Sequence, residues 1–233
     1  QLQEQHFHDG YLFSQIIYSI VPLAADGRDF AATGDRSFFG SQDAFVWSHR
    51  ANGRRLLFDR LPQDFQLYQR KLATNQGLVK TAGWVEQGTP HFTEIKMKVS
   101  REGLPVDTVT APLSYTAGTA SFSLEWPMLA ETANYGFEIV GSDGSVEYPE
   151  ASALKVVAGD AFIIQGQSNA MLGSPNPREG SPFVRSFGSA SLTQPVDAYR
   201  WQVAGNQANN LPGGLGQWGA VLADSIVAAH GIP

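Results

Sequence analysis

The residues best suited to chemistry are Gly166-Gln167-Ser168-Asn169, which follow the apolar run Ala161-Phe162-Ile163-Ile164. A continuous apolar run is typical of a strand buried on both faces, and ligands collect at the carboxyl end of such strands. A serine hydroxyl at this point is a candidate nucleophile for an ester carbonyl. Gly166 lets the backbone approach a substrate closely, and the amides of Ser168 and Asn169 can donate to an oxyanion if a helical turn begins there. The alternative is an ordinary loop serine that caps the following turn.

The motif resembles a known enzyme family. Gly159-Asp160 followed by Gly166-Gln167-Ser168-Asn169 is similar to the first block of the SGNH hydrolases, particularly the branch of sialate O-acetylesterases and acetylxylan esterases. Gly216-Gln217-Trp218-Gly219, with the helix after it, also resembles that branch. The stretch 61–68 is similar to the lead-in to a β-sandwich in secreted esterases of Bacteroidetes type.

The resemblance implies an activity and a set of site residues. It implies a serine esterase that removes O-acetyl groups from carbohydrates without a cofactor, in a secreted or periplasmic bacterial protein. Ser168 would be the nucleophile and an oxyanion donor, and Gln167 and Asn169 would support it. Gly219 belongs to the same group by resemblance, although packing at a helix start is the favoured interpretation of Trp218-Gly219.

The family's remaining site residues have no match in this sequence. A second-block glycine, a third-block Asn and a closing Asp-x-x-His are expected beyond Pro233. None of the histidines stands in such a motif; they are His6, His8, His49, His91 and His230. The expected partners are therefore an acetylated oligo- or polysaccharide and the rest of the hydrolase domain, from the same protein or a second chain.

Short strands separated by turns predict a β-sandwich accessory domain over 61–153. The clearest strand is Phe92 to Val99, where apolar and polar residues alternate. Similar runs occupy 78–86, 106–115, 120–126 and 135–140, and 101–103 is a predicted turn. Residues 1–60 have no sustained period, so this segment stays unassigned.

The pattern changes at position 154. Apolar runs at 154–157 and 161–164, a loop-rich region with a strand-like stretch at 183–187, and a final helix with Trp218, Val221 and Leu222 on one face follow in order. This order predicts that 154–233 is the first part of an α/β SGNH hydrolase domain with a flavodoxin-like parallel sheet. The whole chain would then be a β-sandwich, of immunoglobulin or fibronectin type, followed by a partial α/β domain.

Four further side chains allow two interpretations each. Asp160 is interpreted as a turn carboxylate that binds local amides, rather than as a catalytic group. Arg185 is interpreted as a surface or paired arginine, rather than one that orients a substrate or a loop. Trp47 and Trp84 are either core residues or stacking positions for sugars.

Composition excludes several classes of protein. A net charge of -6 without a run of Lys or Arg argues against nucleic acid or an anionic membrane as the partner. The absence of Cys excludes disulfides and thiolate metal sites, no spaced His and carboxylate cluster points to a metal, and no apolar run is long enough to span a bilayer. The alternative to an esterase is a non-catalytic carbohydrate-binding or cell-surface adhesion module.

Overall fold

The computed structural model describes residues 56–164, 180–188, 200–205 and 213–233 in full, and the backbone alone of 7–8, 11–12, 16–22, 30–38, 41–49 and 55. Within these residues the chain forms fifteen β-strands and one α-helix. β-Structure therefore dominates the described chain.

The strands fall into three groups along the chain. The first group is β1 (Phe7–His8), β2 (Tyr11–Leu12), β3 (Ile16–Pro22), β4 (Phe30–Phe38), β5 (Ser41–His49) and β6 (Arg55–Arg60). The second is β7 (Leu67–Lys71), β8 (Gln76–Glu86), β9 (Glu94–Arg101), β10 (Leu104–Pro112), β11 (Thr119–Leu129), β12 (Tyr135–Ser142) and β13 (Glu147–Gly159). The third is the hairpin β14 (Arg185–Gly188) and β15 (Arg200–Val203), followed by helix α1 (Gln217–His230).

Eleven strands form one mixed sheet in the order β10-β9-β12-β13-β7-β8-β6-β5-β4-β3, with β11 on the free side of β8. Its pairs are antiparallel except β13 with β7, which run parallel for three residues. The pairing of β7 with β8 is shorter still, from Arg70 opposite Gly77 to Lys71 opposite Gln76. These two short pairings join the two halves of the sheet.

The sheet curls so that its two halves face each other across a common core. Thr81 on β8 donates a hydrogen bond to the Met97 sulfur on β9, 3.6 Å away, although these strands are not paired. The Trp126 ring on β11 packs against Tyr135 and Phe137 of β12, with ring centroids 5.5 and 6.0 Å apart. Alternate residues of β8, β9 and β11 are buried, because one face of each strand lines this core.

The strands predicted between positions 78 and 140 are confirmed. They correspond to β8, β9, β10, β11 and β12, with ends that differ by a few residues, and the predicted turn at 101–103 joins β9 to β10. Residues 1–60, for which the sequence predicts no structure, contribute β3 to β6 to the large sheet. These four strands lie side by side in chain order, and β6 pairs with β8.

The predicted fold class is wrong. The chain is a curled, mostly antiparallel sheet with one described helix, and not a sandwich followed by an α/β domain with a parallel sheet. The predicted buried strand at 161–164 is irregular, and the Phe162 and Ile163 side chains are 63% and 95% exposed. A buried strand must pair its backbone groups, and β13 pairs with β12 up to Val156 and with β7 from Val157 to Gly159, with no strand pairing described beyond Gly159.

The C-terminal helix is confirmed, but its apolar face is not covered. Trp218, Val221 and Leu222 are close to half exposed, whereas the small residues Gly219 and Ala220 are buried. Strand β13 runs through positions 153 and 154, where the sequence places a domain boundary, so 154–159 belong to the sheet. No helix in the described parts of the chain is long and apolar enough to cross a membrane.

Candidate functional site

The candidate site centres on the segment that carries the predicted nucleophile. Gly166, Gln167, Ser168 and Asn169 lie outside the described residues, whereas Gly219 lies within them. The structure does describe the flanks of this segment: Asp160 to Ile164 before it and Gly180 to Gly188 after it. These flanks show what holds the segment.

Asp160 fixes the point where the chain leaves the sheet. Its backbone N–H donates to the carbonyl oxygen of Pro233, 3.0 Å away. Its carboxylate accepts two hydrogen bonds from Arg70, at 2.8 Å from Nε and 2.9 Å from Nη2. This bidentate pair is the geometry in which a guanidinium holds a carboxylate most specifically. The entry to the candidate segment is thus tied to β7 and to the end of the chain.

Arg70 is itself oriented by neighbouring groups. Its Nη1 donates to Asn75 Oδ1 at 2.7 Å, and Asn75 Nδ2 donates to the Ala130 carbonyl at 3.2 Å. The pKa of the Asp160 carboxyl lies below its usual value because Arg70 donates hydrogen bonds to the charged form, an effect that partial burial opposes. Asp160 therefore serves as a structural anion. Its partner is Arg70 and not the local amides that the sequence suggested.

We expect Asp160→Asn to lower the melting temperature near neutral pH, with a smaller difference from wild type in acid. The folded-state pKa lies below the unfolded value of 3.8, so the pair stabilises the fold above that value and ceases to do so as pH falls through the lowered pKa. Thermal unfolding between about pH 7 and about pH 2 measures this. Lys80→Met, which breaks the exposed ion pair with Glu125, is the control, and we expect it to change the melting temperature little at any pH in this range. An Asp160→Asn deficit that stays constant across this range would contradict the assignment.

Helix α1 holds both flanks of the candidate segment. On one side, a Cβ at Gly219 would lie 2.8 Å from Ile164 Cδ1, so the first turn of the helix packs directly on Ile164. On the other side, the Ser181 N–H donates to Asp224 Oδ1 at 2.7 Å. Gly219 and Asp224 are separated by about 7.5 Å along the helix axis. The two flanks therefore attach to one rigid element at neighbouring turns.

The contact with Ile164 accounts for glycine at position 219. Any side chain there would have to displace Ile164, which leads into the predicted motif. This close approach agrees with the packing interpretation of Trp218-Gly219. A role for Gly219 as an oxyanion donor stays a prediction.

Arg185 connects the second flank to the sheet. It is 7% exposed; its Nη1 donates to the carbonyls of Pro182 and Val184, and its Nη2 donates to Lys155 O at 2.9 Å and Asn134 Oδ1 at 3.2 Å. Burial lowers the pKa of this guanidinium to about 10, so it is charged at neutral pH.

The acceptors around Arg185 are neutral. Its guanidinium also lies over the Phe65 ring, 5.8 Å from the centroid. Among the described residues, Nε has no hydrogen-bond partner. Arg185 is therefore not a surface residue; within the described residues it pairs with neutral oxygens and not with a carboxylate. It is a buried residue that connects β13 to residues 180–184 through hydrogen bonds.

The described histidines do not form an acid–base pair. The His91 ring packs against Tyr115, with centroids 4.8 Å apart, and His230 is exposed in the last turn of α1. The charge of His230 is the smallest of the effects that lower the pKa of Asp160, whose two carboxylate oxygens are both held by Arg70. Within the described side chains, no group of three His, Cys, Asp or Glu could hold a metal ion.

Comparison with known proteins leaves the family unidentified. No model of a known protein family matches the chain, and no curated protein is significantly similar to it. The likeness to SGNH esterases therefore rests on the motif residues themselves.

Proposed function

We propose that the chain belongs to a serine esterase that removes O-acetyl groups from carbohydrates, with Ser168 as its nucleophile. The observation that carries this proposal is the motif Gly166-Gln167-Ser168-Asn169, which begins a few residues after a sheet strand ends at Gly159. Anchored flanks support it, because a nucleophile must be held within a fraction of an ångström of its productive position. Asp160, Ile164 and Ser181 are the anchor points.

The proposed reaction is an acyl transfer in two steps. The Ser168 hydroxyl oxygen attacks the acetyl carbonyl carbon while its proton passes to an imidazole, and the Ser168 amide donates to the oxyanion. The sugar oxygen leaves with the proton from the imidazolium, and the acetyl group stays on Ser168 as an ester. Water then gives a proton to the imidazole and attacks this ester. The bond from the acyl carbon to Ser168 breaks, the imidazolium returns the proton to the Ser168 oxygen, and acetic acid leaves and ionises to acetate. Gly166 gives the substrate room near the backbone, and Gln167 and Asn169 support the turn.

The imidazole and its carboxylate are proposed to come from outside these 233 residues, from the same protein or from a second chain. Exposed apolar side chains near α1 support a polypeptide partner here: Phe162, Ile163, Trp218, Val221 and Leu222 are all more than two-fifths exposed. Exposed apolar surface of this kind commonly marks a contact with another polypeptide. A secreted or periplasmic bacterial location and a neutral, acetylated polysaccharide as substrate complete the proposal.

The proposal predicts different activities for the chain alone and for a protein that continues past Pro233. The longer protein releases acetate from O-acetylated xylo-oligosaccharides. The 233-residue chain leaves p-nitrophenyl acetate at its uncatalysed rate, because the base for Ser168 is proposed to come from outside these residues. Acetate release and p-nitrophenol absorbance are the two measurements.

Two outcomes would change the proposal. Hydrolysis by the 233-residue chain that disappears in Ser168→Ala would place the base within the chain. A longer protein that binds the glycan and releases no acetate would favour the alternative, a non-catalytic carbohydrate-binding or adhesion module.

A further inference from the structure

A row of directly opposed residues with two tryptophans crosses the first half of the large sheet. Trp47 on β5 lies opposite Leu57 on β6, Leu57 lies opposite Trp84 on β8, and Trp84 lies opposite Ser121 on β11. Directly opposed residues of neighbouring strands share one face of a sheet. Position 47 and Trp84 therefore belong to the same face, and Leu57 lies between them.

This face is the outer one. Val79 and Val85 on β8 are fully buried, and Trp84 alternates with them at a half-buried position. Its neighbour Ser121 is exposed, whereas Ala120 and Phe122 on either side of it are buried. On β6, β8 and β11 the row thus faces away from the core, and the strand register places position 47 on the same face of the sheet.

The spacing of the two tryptophan positions suits an extended sugar chain. Strands in a sheet are about 4.8 Å apart, so two steps place positions 47 and 84 roughly 10 Å from each other. This distance is comparable to the length of a disaccharide unit. The flat C–H face of a pyranose packs on an indole ring while its hydroxyls remain in water.

The charges around Trp84 balance. Lys80 pairs with Glu125 on this face, and Arg60, opposite Ala82, is matched in number by Glu86 at the end of the strand. The charged side chains described around Trp84 thus leave no excess charge to attract a polyanion or a polycation. An uncharged polar polymer is the partner that this combination of indole rings, hydroxyls and balanced charges fits.

We infer that the outer face of β5, β6, β8 and β11 binds a neutral polysaccharide by stacking on Trp47 and Trp84. The identification of the ligand as an O-acetylated polysaccharide rests on the proposed function; the tryptophan row does not. Binding here holds the polymer to the protein by its sugar rings.

The test measures binding of the 233-residue chain to soluble O-acetylated xylan and O-acetylated glucomannan by affinity electrophoresis and calorimetry. Wild type binds at least one of them. Trp84→Ala and Trp47→Ala each weaken binding by about tenfold or more, as expected for loss of an aromatic anchor. Trp84→Phe keeps part of the affinity, because it retains a ring to stack on.

Trp218→Ala removes an exposed tryptophan from α1 instead of the sheet and is the matched control; it leaves binding unchanged. Circular dichroism confirms that each variant folds. Absence of binding to both polysaccharides, or wild-type affinity in both sheet variants, would overturn the inference. So would a change of oligomeric state in the sheet variants, because the row would then join copies of the chain. Turnover of a small acetyl ester reports on the proposed function separately, since such an ester does not need the sheet.

Discussion

Replacing Ser168 by alanine is expected to lower turnover of an O-acetylated sugar on the order of 10⁴-fold or more in a protein that contains the acid and base. Without the hydroxyl there is no oxygen to carry the acetyl group, so the covalent pathway is closed. Oxyanion donors and substrate binding remain and leave a small residual rate. The effect therefore falls on kcat, while the Michaelis constant changes little.

Steady-state release of acetate gives both constants, and mass spectrometry of the quenched enzyme detects an acetyl group on the peptide containing Ser168 in wild type alone. Ser152→Ala, on an exposed position of β13, is the matched control with unchanged kinetics. Because a serine hydroxyl contributes little to packing, the melting temperature of Ser168→Ala should equal that of wild type. Wild-type turnover by this variant would remove Ser168 from the reaction.

Strands β8, β9 and β11 were predictable because one face of each is buried. In β9, Ile95, Met97 and Val99 alternate with Glu94, Lys96 and Lys98, and the apolar set is buried. This alternation depends on local sequence alone. How the strands connect does not, because β13 pairs in parallel with β7 through residues about ninety positions apart. Local sequence patterns therefore could not predict that the sheet curls.

The apolar run at 161–164 shows why hydrophobicity did not determine the second half of the fold. An apolar run predicts burial, but burial needs a surface to pack against. In the described residues, Ile164 reaches Gly219, whereas Phe162 and Ile163 are exposed. The sequence identified apolar residues correctly and assigned them to a parallel sheet that the structure does not contain.

The groups that anchor the candidate segment had no sequence signal. Arg70 and Asp160 are separated by ninety residues, and Arg185 meets Lys155 on β13 and Asn134 in the connection before β12. No motif or spacing connects such residues before the chain folds. Gly219 did have a signal, because a glycine near a helix start often marks a close approach of another segment.

Gly141→Ala is expected to destabilise the fold by about 3 kcal/mol, a large effect for one added methyl group. Gly141 lies on β12, between β9 and β13, and a Cβ there would overlap the ring of Phe92. Phe92 is fully buried and packs against Tyr148, with ring centroids 5.6 Å apart, so it has no free space into which to move. The cost is therefore overpacking in a closed core.

The Phe92→Ala background reverses the sign of this effect. Phe92→Ala alone costs about 3–5 kcal/mol because it leaves a cavity. In that background the Cβ of Gly141→Ala enters vacated space, and alanine is favoured over glycine in a strand by about 0.5–1 kcal/mol. Urea unfolding of the two single variants and the double variant measures the coupling.

Gly188→Ala is the matched control, since Gly188 lies on a strand with open space around its Cα, and we expect it to be neutral or slightly stabilising. The overlap with the Phe92 ring is the reason that we expect Gly141→Ala to be costly and Gly188→Ala not. Additive effects of Gly141→Ala and Phe92→Ala would show that the ring does not cover Gly141, and the packing of β12 against the segment before β9 would have to be revised.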